Sequence, residues 1–169
     1  MATNPKEITD RSFVAIKING KNYFGNPNET ILDVSKRNGI EIPHLCFKEG
    51  MRPDGNCRAC MVEIEGERVL QPSCVRTISD GMVINTDNDR VIHSQKLVLE
   101  LLTSDVSDKV YKKDSELSDW ADKLNISANR FPTNVQEKHD LTHPAIAVNL
   151  DACIQCTRCV RACREEQVN

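Results

Sequence analysis

Gly55-Asn56-Cys57-Arg58-Ala59-Cys60-Met61-Val62-Glu63-Ile64-Glu65 is the stretch on which the reading of this chain turns. A tight Cys-x2-Cys clasp runs straight into the alternation Met61 to Glu65, the pattern of a half-buried strand. Outward from the clasp lie two single cysteines, giving Cys46-x10-Cys57-x2-Cys60-x13-Cys74. A second set follows as Cys153-x2-Cys156-x2-Cys159-x3-Cys163. The two sets use all eight cysteines, leaving none for a core position or a catalytic thiol. Thiolates grouped in this way bind metal, and these spacings favour iron–sulfur clusters over zinc.

The residues around the clasp predict a small α+β unit. Ser12 to Asn19 alternates, with Val14, Ile16 and Ile18 on one face. Asn19-Gly20 is a strong hairpin signal, and Lys21 to Gly25 is the returning strand. Thr30 and Asp33 are spaced as a capping box for a helix that begins Ile31-Leu32 and stops at Asn38-Gly39. Pro43 forces an extended approach to Cys46. Gly50 and Gly55 allow the positive φ that a cluster loop needs. Gly66-Glu67 turns the chain, Arg68 to Gln71 returns, and Met82 to Thr86 is a last short strand.

This order predicts a mixed sheet curled over one helix, a β-grasp ferredoxin domain for a [2Fe-2S] cluster over residues 1–88. Residues 89–140 read as a helix and a charged linker. Asn88 or Asp89 caps the helix, which runs to about Thr103. A second short helix, Glu116 to Leu124, carries Leu117, Trp120 and Leu124, and a loop follows over 129–139. Residues 141–169 read as the first half of a two-cubane [4Fe-4S] ferredoxin-like domain.

A [2Fe-2S] cluster takes four thiolates, two on each iron, and Cys46, Cys57, Cys60 and Cys74 supply that number. Arg58 and Ala59 leave backbone N–H groups free to donate to sulfur. The second run matches the bacterial cubane motif except that Arg164 stands where Pro is expected. On that motif Cys153, Cys156 and Cys159 hold one [4Fe-4S] cluster and Cys163 ligates a second. Arg158, Arg161 and Arg164 soften the negative charge of a thiolate-ligated cluster. A complete cubane pair needs a further run of cysteines, so the chain is expected to be part of a longer polypeptide, or to be completed by a partner. The alternative for either set is a zinc-stabilised scaffold with no redox role.

Charge excludes one class of function. Lys plus Arg is 22 against 25 Asp plus Glu, a net charge of −3, which is no nucleic-acid footprint. No apolar run approaches the roughly 18 residues of a membrane span, and the start is not a signal peptide. Cysteines in a cytoplasmic setting then read as metal ligands, not disulfides. No Gly-rich dinucleotide fingerprint, P-loop or catalytic triad signature occurs, so no catalytic residue is assigned. His44 reads as a solvent-facing loop residue, and His93, His139 and His143 as surface or capping residues.

Pro43-His44-Leu45-Cys46, Gly55 to Glu63 and Gln71-Pro72-Ser73-Cys74 resemble the N-terminal ferredoxin domain of several NAD-linked complexes. These are the large iron–sulfur subunit of complex I, the small diaphorase subunits of hydrogenases, and the alpha subunit of NAD-dependent molybdenum or tungsten formate dehydrogenases. The string His143 to Asn169 resembles the formate dehydrogenase branch. That resemblance implies electron transfer from a molybdopterin site outside this chain towards a flavin- and NAD-binding iron–sulfur subunit. A stand-alone ferredoxin or hydrogenase diaphorase subunit is the rival it leaves open. The wider family often carries a His-plus-three-Cys cubane after the long helix. Here Thr103 to Tyr111 holds no cysteine, so that cubane is expected to be absent.

Overall fold

The computed structural model describes residues 13–106, 115–126, 130–135 and 139–167. Strands β1 (Val14–Ile18) and β2 (Lys21–Gly25) form the expected hairpin, with Val14 opposite Gly25 and Ile18 opposite Lys21. Asn19 and Gly20 both have positive φ, 49° and 78°. Two such residues give the mirror-image turn whose twist matches the strands. Ile16 and Ile18 are buried while Phe13 and Phe24 face out.

Helix α1 (Ile31–Arg37) starts where the capping box puts it. The Thr30 hydroxyl accepts from the Asp33 N–H, and the Asp33 carboxylate accepts from the Thr30 N–H at 3.0 Å. Ile31, Leu32, Val34 and Ser35 are its buried face. Its first amides are taken by the loop after β4: Ile31 N–H donates to the Arg76 carbonyl and Leu32 N–H to that of Ser73.

Strands β3 (Met61–Ile64), β4 (Gln71–Pro72) and β5 (Val83–Asn85) complete a five-stranded mixed sheet in the order β2-β1-β5-β3-β4. β5 lies parallel to β1 and antiparallel to β3. The return after Gly66 is shorter than its sequence suggests. Only Gln71 and Pro72 pair with β3, and the Arg68 carbonyl is taken by Arg90. The core between sheet and α1 holds Ile16, Ile18, Ile31, Leu32, Val34, Val62 and Ile84, and it includes Cys60 and Cys74.

Asn88 caps α2 (Asp89–Ser104), its side chain accepting from the Val91 N–H. α2 is fixed on the sheet by Gln95, buried, whose amide donates to the Met61 carbonyl at 2.9 Å. α3 (Glu116–Lys123) packs on α2. Leu99 and Leu117 then meet Leu45 and Ala59 in a second core, flanked by Cys57, Trp120 and Ile154. The linker thus forms the floor beneath the first cysteine loop.

A hairpin absent from the sequence reading follows, β6 (Asp140–His143) with β7 (Ile146–Val148), exposed along its whole length. A single 3₁₀ turn, Leu150–Ala152, leads into the second cysteine run. Helix α4 (Arg158–Arg161) begins before Cys159, and the turn widens over Ala162–Glu166. Cys159 and Cys163 are therefore both on helical backbone. Residues 107–111 of the cysteine-free stretch after α2 lie outside the described residues. No helix among the described residues is long and apolar enough to cross a membrane.

Candidate metal centre

The first cysteine set lies where the two cores meet. Cys60 and Cys74 belong to the sheet core, and Cys57 flanks the second. Cys46, Cys60 and Cys74 are buried and Cys57 is half-buried. Pro43 and the buried Ile42 and Leu45 bring Cys46 in from α1. β3 begins directly after Cys60, and Cys74 follows β4. Ser73 N–H donates to the Cys60 carbonyl at 2.9 Å, which ties the last two cysteine positions of the set together.

The loop between Cys46 and Cys60 is shaped by left-handed backbone. Gly55 has φ +63°, and a Cβ there would sit 3.4 Å from both Val75 methyl groups. Arg58 has φ 60°, a conformation that costs a residue with a Cβ roughly 1–3 kcal/mol. It turns the next amide, that of Ala59, onto the Cys57 sulfur. Cys46 N–H also donates to Cys57 Sγ at 3.4 Å, and the amides of Cys57 and Asn56 point at the Cys46 sulfur.

Contacts among the thiols run Cys57 to Cys46, Cys46 to Cys74, and Cys74 to Cys60. Cys46 is held down to about 2, first by the Cys57 thiol and then by that of Cys74, against the opposing effect of burial. Cys60 is lowered to about 7, first by the Cys74 thiol. Cys57 is pushed up by its contact with Cys46 and then by burial. Cys74 is pushed up by Cys46, then Cys60, then burial.

Those contacts join all four thiols in one chain, Cys57–Cys46–Cys74–Cys60. A cluster with two thiolates on each of two irons fits that donor set. Ser73 adds a second mark of fit. Its hydroxyl is buried with no nitrogen or oxygen partner among the described residues, and it reaches the Cys60 sulfur, whose ionised form it favours. Among the described residues no group of three or more Cys, His, Asp or Glu side chains is gathered as a ready-made site for a single ion.

The second set is more open. Cys153 and Cys156 are half-buried, and Cys159 and Cys163 are exposed. Positive φ at Gln155 and Thr157, 53° and 62°, curls the chain around Cys156. Gln155 N–H donates to Cys153 Sγ at 3.4 Å. This segment docks on the first loop. Asn56 Nδ2 donates to the Gln155 carbonyl at 2.7 Å, and Thr157 Oγ1 to Asp54 at 2.9 Å. Arg158 donates to the Phe47 carbonyl and pairs with Glu116. Arg164 bonds Glu165, and Glu165 in turn pairs with Arg52. Arg158 and Arg161 turn towards the first cysteine loop.

His44 differs from its sequence reading. It is half-buried, its ring edge-on to Phe47 and tilted against Trp120, with Nδ1 2.8 Å from the Ile42 carbonyl. It steadies the approach to Cys46. His93, His139 and His143 are exposed, and His139 lies 3.4 Å from Asp151.

Residues 11–89 match the family described as the 2Fe-2S iron-sulfur cluster binding domain. One NADH-quinone oxidoreductase subunit of Rhizobium meliloti is 34% identical over 90% of this chain and 19% of its own length. NADP-reducing hydrogenase subunit HndD of Solidesulfovibrio fructosivorans is 33% identical over 92% of this chain and 28% of its own. The chain thus spans less than a third of these curated relatives. A solved NAD+-reducing [NiFe]-hydrogenase contains a chain that superposes with a TM-score of 0.81, at 26% identity, over 90% of this chain and 67% of that one. Residues 11–89 thus match a 2Fe-2S iron–sulfur cluster binding domain, in a chain similar to subunits of NADH-quinone oxidoreductases and of NAD(P)-reducing hydrogenases.

Proposed function

We propose that this chain is an electron-transfer module in which Cys46, Cys57, Cys60 and Cys74 hold a [2Fe-2S] cluster. Cys153, Cys156 and Cys159 hold a [4Fe-4S] cluster in this reading, and Cys163 serves a second one. The observation that carries it is the docking of the second cysteine segment on the Cys46–Cys57 loop. A cluster supplies a one-electron site without bond chemistry in the protein. The residues hold it, exclude water and aim amides at its sulfurs, which sets its potential. Leu45, Ala59, Leu99 and Leu117 keep the inner side dry.

By its second cysteine run we place the chain at the start of a formate dehydrogenase alpha subunit. It would pass electrons from a molybdopterin site elsewhere in that subunit towards a flavin- and NAD-binding partner. A second reading is favoured by the relatives named above: a subunit of a hydrogenase or quinone-linked NADH oxidoreductase. Reduction of the clusters in the purified parent complex by formate, hydrogen or NADH distinguishes the two. The module itself is tested by reconstituting the chain with iron and sulfide. A brown, dithionite-reducible protein with a two-iron paramagnetic signal is expected, without turnover of formate or NADH. A colourless zinc protein refutes the reading.

A further inference from the structure

Arg161 is the most deeply buried charged residue described, 1% exposed. Its guanidinium donates to the carbonyl of Cys46 at 2.5 Å, to that of Arg52 at 2.6 Å and to Thr157 Oγ1 at 3.3 Å. An arginine keeps its charge, and a buried charge needs compensation. The nearest carboxylate is Asp54, 3.9 Å from Nε. Asp54 already accepts from Thr157 and lies 3.9 Å from Arg52. Carbonyl dipoles and one long, shared carboxylate contact are thin support for a cation in this position. A negatively charged cluster on the quartet that includes Cys46, whose carbonyl the guanidinium holds, would supply that compensation.

We infer that Arg161 is a positioning residue and buried counter-cation of the first cluster: it raises that centre's potential and clamps the second cysteine segment to the loop carrying Cys46. The inference rests on the [2Fe-2S] reading of the first quartet. Reduction adds negative charge to the centre, and a fixed cation favours the more negative state, so the potential rises. Because the guanidinium is buried, mobile salt screens the effect little. Arg161 also lies in the helical segment between Cys159 and Cys163, so one side chain ties the backbone of the two ligand sets together.

The test is a paramagnetic redox titration of the reconstituted full chain, comparing Arg161→Gln with Arg164→Gln. Arg164 is on the same segment but 62% exposed at its side chain and bonded to Glu165. Iron and sulfide content of the unaltered chain checks the cluster reading separately. Arg161→Gln should lower the reduced-to-oxidised ratio of the two-iron centre at fixed poise about tenfold, 59 mV for a one-electron couple, at low and high salt alike. Arg164→Gln should leave it within a few-fold of the unaltered chain. Equal potentials in the two variants, with the centre fully occupied, would overturn the inference. If Arg161→Gln loses its cluster, Arg161→Lys takes its place, keeping the charge but losing the forked contacts. Its potential should stay near that of the unaltered chain, and a drop as large as that expected for Gln would overturn the charge argument. Amide exchange of the metal-free chains tests the clamp in every case. Faster exchange over residues 52–57 in both Arg161 variants supports it, and unchanged exchange overturns it.

Discussion

Gly55→Ala isolates the backbone cost of shaping the cluster loop. Gly55 sits two residues before Cys57 at φ +63°. A residue with a Cβ in that region costs about 1–2 kcal/mol. The added carbon would meet both Val75 methyls at 3.4 Å and Pro72 at 3.9 Å, ordinary contact distances, so the backbone carries the cost. A loss of about 1–2 kcal/mol lowers the melting temperature of a domain this size by about 2–8 °C. Thermal unfolding of the metal-free chain, followed by circular dichroism, reads this directly. Gly50→Ala is the matched control, since its φ is +83° but a Cβ there meets open space. Gly55→Ala should therefore cost about as much as Gly50→Ala. The variant should also lose iron faster, because the Asn56 and Cys57 amides move with it. A Gly55→Ala chain as stable as the parent, with unchanged iron retention, would refute the argument from left-handed backbone.

Cys57→Ser should abolish the paramagnetic signal of the reduced two-iron centre and leave any four-iron signal in place; an unchanged spectrum removes Cys57 from the ligand set. Ser73→Ala should keep the cluster but lower its midpoint potential, because one donor to the Cys60 sulfur is gone; redox titration at constant iron content decides it. Glu63→Gln should destabilise the chain in a pH-dependent way. Arg90, then Asn88, hold the Glu63 carboxyl below the usual range. Its stabilisation is complete above the unfolded carboxyl value of about 4.3 and fades as pH falls through the lowered native one. The melting difference between Glu63→Gln and parent should thus be steady near neutrality and close in acid; a gap that widens in acid contradicts the assignment.

What is legible in the sequence is local. Asn19-Gly20, Thr30 with Asp33, and Asn88 before α2 each carry their structure in neighbouring residues, and each forms as read. The grouping of Cys46, Cys57, Cys60 and Cys74 is legible because metal chemistry demands proximity whatever the spacing. Other features depend on partners about a hundred residues away. Arg161 and Arg158 reach the carbonyls of Cys46 and Phe47, and nothing in their own neighbourhood marks them for it. His44 departs from its reading for the same reason, since Trp120 arrives from α3 to cover it. The β6–β7 hairpin leaves no pattern because neither strand has a buried face to impose a period of two. Ser73 leaves one signal, a small hydroxyl beside Cys74, too weak to read without its burial.

The parallel pairing of β1 with β5 bears on how the domain is made. Lys17 faces Val83 and Ile18 faces Ile84 across it, and the whole first quartet lies in the chain between them. A contact so distant in sequence closes late, because the loop entropy must be met before the pairing gives any return. During synthesis the edge of β1 cannot gain this partner until Asn85 has emerged. All four thiols are then already outside the ribosome and still open to solvent. If the quartet holds a cluster as proposed, the interval before closure is when iron and sulfide would reach the open thiols. A strand swap or truncation that delayed β5 would lengthen that interval, leaving the same thiols open to oxidation for longer.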